Sequence, residues 1–210
     1  MTEQYKLSEG WRWVRLGKVL ATIESGSRPK GGVFEIKDGF PSIGAEHLNF
    51  SGGFNFDNMR FIPNEFYQEM KRGKIQRYDV LVVKDGATTG KTSFVSKDFP
   101  YEKDGINEHV FRLRGKEDEL MQEFIFWFLY SSIGQSQIQQ EFHGSAQGGI
   151  NQKFVNGVLI PLPPLENQHR IANYLKEKMA EVEKLRIAIE KQLESIKDLP
   201  QAYLKGVSGG

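Results

Sequence analysis

The residues with the clearest capacity for chemistry lie in VLVVKDGATTGKTSF, Val80 to Phe94. An apolar run enters a glycine-rich turn that ends in Gly90-Lys91-Thr92, the composition of a loop that cradles phosphate after a strand. The spacing departs from the nucleotide-binding pattern, which needs four residues between its first glycine and the Gly-Lys pair. Gly86 and Gly90 enclose only Ala87, Thr88 and Thr89. Such a loop should also open a helix whose N-terminus faces the anion. Here TSFVSKDFPY comes next, β-rich and soon at Pro100. No later apolar strand ending in Asp offers a magnesium-holding partner. A nucleotide-dependent hydrolase built on the Gly86–Thr92 loop is therefore disfavoured. Glycine amides, hydroxyls and a lysine are nonetheless what a loop uses to grip a phosphodiester. The plainer alternative is a hairpin turn with Lys91 in solvent.

Two further polar loops have related chemistry. SGSRPKGG, Ser25 to Gly32, carries Arg28 and Lys30 without an apolar anchor, and taken alone it reads as a flexible connection. HGSAQGGINQK, His143 to Lys153, carries Gln147, Asn151 and Gln152, whose amides can bond bidentately to adenine in a major groove. Amides are also common turn formers. Each loop follows an apolar segment, so all three could converge on one face, and loops on a rigid scaffold commonly carry recognition. Catalytic groupings are poor. His47, His109, His143 and His169 are scattered without metal-ligand spacing, and His109 in NEHVFRL reads as a strand residue. There is no Ser/His/Asp order, no Asp-Pro-Pro-Tyr-like methyltransferase signature and no acidic nuclease cluster with a following lysine.

Behind these loops stand two regions of different grammar. Up to about Pro164, turn signals recur at short intervals between brief apolar runs: WVRLGKVLATI, VLVV, SFVS, HVFRLR and GVLIPL. Helical spacing is confined to Asn64–Arg72 and to a longer stretch from Glu117 to about Gln140. This predicts an α+β domain over residues 1–163. IPLPPL then forms a stiff extended turn that ends the domain and aims a helix. Residues 164–200 read as that long helix. Ile171, Leu175, Val182, Leu185, Ile189, Ile196 and Leu199 fall on alternating steps of three and four, with Lys178 and Gln192 in two slots of the same seam. A rod of that length needs a partner helix, the alternative being a terminal helix folded back on its own domain. Residues 201–210 read as a tail.

Composition bounds the rest. The 210 residues suffice for one domain plus an appendage. Cysteine is absent, which excludes disulfides, a thiol nucleophile and thiolate metal sites. The polar N-terminus and the lack of a membrane-length apolar run predict a soluble, cytoplasmic protein. A net charge of +1 means that any nucleic-acid contact must come from a local patch or a partner's surface.

With these segments in place, the chain resembles the specificity subunit of type I restriction–modification enzymes. The carriers are GWRWVRLGKV, SGSRPKGG, FPSIGAEHL, YDVLVVKDGATTGKTSFV, and GINQKFVNGVLIPLPPLENQHRIANYL with the helix behind it. Asn167 stands where the family often has an acidic residue. The usual subunit carries two recognition domains and two helices, so this chain resembles a half-length form. The resemblance implies a non-catalytic reader of one half of an interrupted target in double-stranded DNA. It implies docking to methyltransferase subunits, which would bring S-adenosylmethionine, and to a restriction/motor subunit, which would bring ATP and magnesium, with no cofactor on this chain. By the same analogy Ser27, Arg28, Lys30, Lys84, Thr88, Thr89, Lys91, Gln147, Asn151, Gln152 and Lys153 face DNA. Ile171, Leu175, Val182, Leu185, Ile189 and Ile196 would join two copies into a homodimer. A third reading is a coiled-coil assembly protein whose head binds no DNA.

Overall fold

The computed structural model describes residues 7–33, 36, 38–144 and 148–207. The chain divides into two compact units, one ending at His169 and the other beginning at Arg170.

The first unit is a mixed helix–strand domain. The run from Arg12 to Ser25 yields three elements: β1 (Arg12–Arg15), one helical turn α1 (Leu16–Val19) and β2 (Leu20–Ser25). Next in the chain are β3 (Phe40–Ile43), β4 (Arg60–Ile62), α2 (Asn64–Glu69), β5 (Val80–Val83), β6 (Thr92–Phe94), β7 (Gly105–Ile106) and β8 (Val110–Gly115). Then come α3 (Gln122–Tyr130), α4 (Ser132–Gln140) and β9 (Leu159–Leu162). The strands form a four-stranded sheet in the order β2-β8-β5-β6, a three-stranded sheet β4-β3-β7, and a two-stranded ribbon β1-β9. The ribbon is antiparallel, with Arg12 opposite Leu162 and Arg15 opposite Leu159.

β5 is the centre of the domain. All four of its valine and leucine side chains are fully buried, as expected of a strand covered on both faces. Leu81 and Val83 join a core with Ile43, Leu48, Ile75, Val95, Phe99, Ile106 and Val110. Val80 and Val82 alternate to the other face, where α3 packs. Beside β5 lies a buried ion cluster. Asp79 is fully buried and accepts from Arg112 Nη1 at 3.2 Å, from Arg114 Nη2 at 2.7 Å and from the Gln76 amide at 2.7 Å. Burial pushes the Asp79 carboxyl up, against Arg112, the Gln76 amide and Arg114, which pull it down.

The helical stretch expected from Glu117 to Gln140 is two helices. Ser131 leaves the helix with extended backbone, and its Oγ accepts the Gly134 amide at 3.2 Å, capping α4. The apolar periodicity belongs to α3, whose Phe124, Ile125, Phe126 and Leu129 are buried. α2 is shorter than its pattern, ending at Glu69.

The last helix, α5 (Leu165–Val207), starts within the first unit and makes up most of the second. Its opening is fastened by Gln168, which is fully buried. That side chain accepts the Met121 amide at 2.8 Å and donates to the Glu119 and Pro163 carbonyls, each at 2.9 Å. The helix runs through Pro200, past the point where the sequence pattern ends it, although proline removes a backbone donor there.

Candidate nucleic-acid interface

The pairing of β5 with β8 sets Val83 opposite Val110. The residues just beyond this pair, Lys84 and Asp85 on one side and Glu108 and His109 on the other, meet at one end of the sheet. Lys84 Nζ donates to the Glu108 carbonyl at 2.8 Å and lies 3.6 Å from the Asp85 carboxylate. His109 Nδ1 is 2.6 Å from Asp85 Oδ1, and its Nε2 is 3.4 Å from the Glu108 carboxylate.

The three polar loops come together here. From the first, Arg28 Nε pairs with the Glu108 carboxylate at 2.7 Å, and Ser25 Oγ donates to the Glu108 carbonyl at 3.3 Å. From the third, the Gly148 carbonyl accepts the Gly86 amide at 3.1 Å, and the Ile150 amide donates to the Lys84 carbonyl at 2.8 Å. Two glycines permit the approach. A Cβ on Gly149 would stand 2.4 Å from the Lys84 carbonyl oxygen, and one on Gly26 would stand 1.7 Å from that of Ile106. An open cleft of about 490 Å³ lies between the second and third loops, walled by Lys84, Asp85, His143 and Asn151.

The loop from Gly86 to Lys91 closes the β5–β6 hairpin and is held from within. The Thr89 amide donates to the Gly86 carbonyl, the Gly90 amide to Val83 and the Lys91 amide to Thr88, at 3.1, 2.9 and 3.0 Å. With the Gly86 amide given to Gly148, four of its six amides are engaged inside the protein, and a strand follows rather than a helix. This is not the open nest of amides that a nucleotide phosphate requires. α4 braces the loop from behind: Gln135 Nε2 donates to the Gly90 carbonyl at 2.8 Å, and Gln139 Nε2 to that of Thr89 at 2.9 Å.

The residues expected at a DNA face fall into three groups. Arg28, Lys30, Gln152 and Lys153 are exposed, while Ser27, Lys84, Thr88 and Lys91 are half-buried. Burial holds the Lys91 ammonium below the ordinary lysine range, with Glu46 opposing. Thr89 and Asn151 are occupied structurally. Thr89 is buried with its hydroxyl on the Gly86 carbonyl at 2.7 Å, and Asn151 Oδ1 accepts the Lys153 amide at 2.8 Å at the start of a short helical turn. Gln147 lies outside the described residues. Asp85, Glu108 and the pairing role of His109 were missed because they meet only across the strand register. Among the described residues, no group of three or more His, Asp or Glu could hold a metal ion, and no helix is long and apolar enough to cross a membrane.

In the second unit the heptad seam is exposed over most of its length. Ile171 and Leu175 are half-buried, but Val182, Leu185, Ile189 and Ile196 are each more than half exposed. Ion pairs of Lys178 with Glu181 at 2.8 Å and of Arg186 with Glu183 at 2.7 Å and with Glu190 lie along the helix.

The fold is that of known type I restriction–modification specificity subunits. It matches a chain solved in work on complex assembly and conformational transition of the type I R-M system, with a TM-score of 0.75 and 24% identity, over 98% of this chain and 47% of that one. It also matches the crystal structure of the HsdS subunit from Thermoanaerobacter tengcongensis, with a TM-score of 0.63 and 24% identity, over 87% and 41% of the two chains. The family model for the type I restriction modification DNA specificity domain covers residues 8–195, and the chain belongs to that family. Among relatives, it is 26% identical over 170 residues to the EcoBI specificity subunit of Escherichia coli, covering 81% of this chain and 35% of that one. To the MjaVIII specificity subunit of Methanocaldococcus jannaschii it is 25% identical over 204 residues, covering 95% and 42%. The chain thus spans less than half the length of these relatives.

Proposed function

We propose that this chain is a non-catalytic DNA-reading subunit of a type I restriction–modification system, and that its first unit reads one half of a bipartite target. The observation that supports this best is the convergence of three polar loops at one end of the β2-β8-β5-β6 sheet, in a chain of the specificity family. Loops on rigid strands present exposed and half-buried cations together with amides, the mixture needed for phosphate positioning and base-edge readout. Arg28, Lys30, Lys84, Thr88, Lys91, Gln152 and Lys153 are the proposed contacts, and Thr89 and Asn151 shape the loops that carry them. The internal bonding of the Gly86–Lys91 turn weighs against nucleotide hydrolysis.

The second unit is the proposed spacer and assembly element. A long helix with an exposed apolar seam calls for a partner helix. Two copies paired antiparallel through Ile171, Leu175, Val182, Leu185, Ile189 and Ile196 would place a head at each end of the pair. A two-fold pair is the commonest closed arrangement of identical chains. The homodimer would read an interrupted palindrome and dock methyltransferase and restriction/motor subunits. S-adenosylmethionine, ATP and magnesium would be held by those partners.

Methylation mapping of DNA from cells carrying this chain with its methyltransferase subunit tests the reading. The expected result is one interrupted palindrome, methylated only when the chain is present. Methylation independent of the chain, or ATP turnover by the purified chain that Lys91→Ala abolishes, overturns it.

A further inference from the structure

One aromatic ring beside the loops lies largely outside the core. Phe50 is 76% exposed, the most exposed large apolar side chain among the described residues of the first unit. Single exposed apolar residues are ordinary on protein surfaces. The support beneath this one is not. Asn49 folds the turn that carries it, with Oδ1 accepting the Ser51 amide at 3.1 Å, the Ser51 hydroxyl at 2.8 Å and the Gly53 amide at 2.9 Å. The turn is tied to β6: the Phe94 amide donates to the Gly52 carbonyl at 3.0 Å, and Ser93 Oγ to that of Gly53 at 2.6 Å. β6 leads directly out of the Gly86–Lys91 loop. Lys91 Nζ consequently lies over the Phe50 ring, 5.2 Å from its centroid, and both residues line a cleft of about 470 Å³ with Thr88 and Gln139. A rigid turn holds an aromatic ring in water against a cation of the proposed DNA face.

The cation also limits what the ring can do. The Lys91 ammonium covers one ring face, which disfavours insertion of the ring between base pairs. Most of the side chain remains open to solvent. An apolar surface of that size beside a phosphate-seeking ammonium suits the one apolar group that a duplex displays in its major groove, the thymine methyl. We infer that Phe50 is a specificity-determining residue that packs against the C5-methyl group of a thymine in the target duplex, while Lys91 reaches the adjoining backbone. This inference rests on the DNA-reading role proposed above.

The test uses the full chain assembled with its methyltransferase subunit and the duplex target found by methylation mapping. Each thymine is replaced in turn by deoxyuridine, which lacks the methyl group. At one position the replacement is expected to weaken wild-type binding about fourfold, the worth of one buried methyl. Phe50→Ala is expected to bind the thymine duplex more weakly and to be indifferent to that replacement. Phe50→Leu, which keeps an apolar contact, should keep part of the discrimination. A Phe50→Ala protein that still discriminates at every position, or that loses affinity equally for thymine and deoxyuridine duplexes, overturns the methyl contact and leaves DNA reading intact. A wild-type complex without salt-dependent DNA binding overturns DNA reading itself, and this inference with it.

Discussion

Lys91 and Gln152 sit on different loops and are suited to different tasks. An ammonium contacts phosphate without reading sequence, whereas an exposed amide can pair with a base edge. Lys91→Ala is expected to weaken binding of the assembled complex almost equally across DNA sequences and to reduce the salt slope by about one. Gln152→Ala is expected to change sequence preference and leave the slope unchanged. Filter binding over a salt series on target and variant duplexes separates the two, and identical effects would show that the loops are misassigned. Asp104 invites a different measurement. Burial pushes its carboxyl up to about 7, with Arg77 pulling it down and Asp79 pushing it further up, and its Oδ2 atom has no hydrogen-bond partner. The folded-state value lies above that of an unfolded aspartate, so between about pH 4 and pH 7 the folded chain binds the extra proton. The stability held by this neutral carboxyl is fully present below about pH 4 and is lost as pH rises through 7. Asp104→Asn removes the ionisation. Its advantage over wild type in urea unfolding is expected to grow between pH 5 and pH 8, by up to about 3 kcal/mol, most of it below pH 7. A gap constant across that range would mean that Asp104 is ionised throughout.

At the scale of elements, the joint between the last strand of the head and α5 depends on one amide. Gln168→Ala leaves the Met121 amide and the carbonyls of Glu119 and Pro163 without their partner in a buried site. A loss of about 2–4 kcal/mol in unfolding free energy is expected. A loss below about 1 kcal/mol would show that water fills the gap. Sequence patterning revealed some elements and concealed others for physical reasons. β5 was legible because four consecutive apolar β-formers suit a strand buried on both faces. α5 was legible because its seam outlasts ordinary helices. β3, β4 and β7 were not, since two to four residues show no period and become strands only by pairing. The break at Ser131 was hidden because the apolar rhythm of α3 ran on by chance into Ile133 and Ile138. In the candidate site the glycine-rich loops were visible by composition. Their acidic partners Asp85 and Glu108 were not, because the β5–β8 register that joins them leaves no trace in linear spacing. Phe50 carries no sequence signal, because its exposure is set by the turn that Asn49 folds.

For the whole molecule, the seam of α5 governs proposed assembly. Leu185→Asp or Ile189→Asp sets a charge where Leu185 is 63% and Ile189 55% exposed in the single chain. Neither change should disturb the head, and both should abolish self-association in sedimentation; unaltered association would place the interface elsewhere. α5 has 43 residues, about 65 Å at about 1.5 Å per residue. Deleting one heptad shortens it by about 10 Å while restoring the seam in phase. Methylation mapping should then show the same half-site bases with a shorter gap, and an unchanged gap would mean that the helix does not set it. The antiparallel β1–β9 ribbon has a consequence of another kind. Because the first strand of the head pairs with its last, the chain enters and leaves the domain at the same place. Among the described residues, every strand pairing of the three sheets closes between Arg12 and Leu162, so the first unit is a cassette with adjoining ends. On the DNA-reading role proposed above, a gene could gain a second reader, or trade this one for another, by exchanging a single uninterrupted stretch of DNA. Heritable change of target would then need recombination at two points rather than many coordinated substitutions.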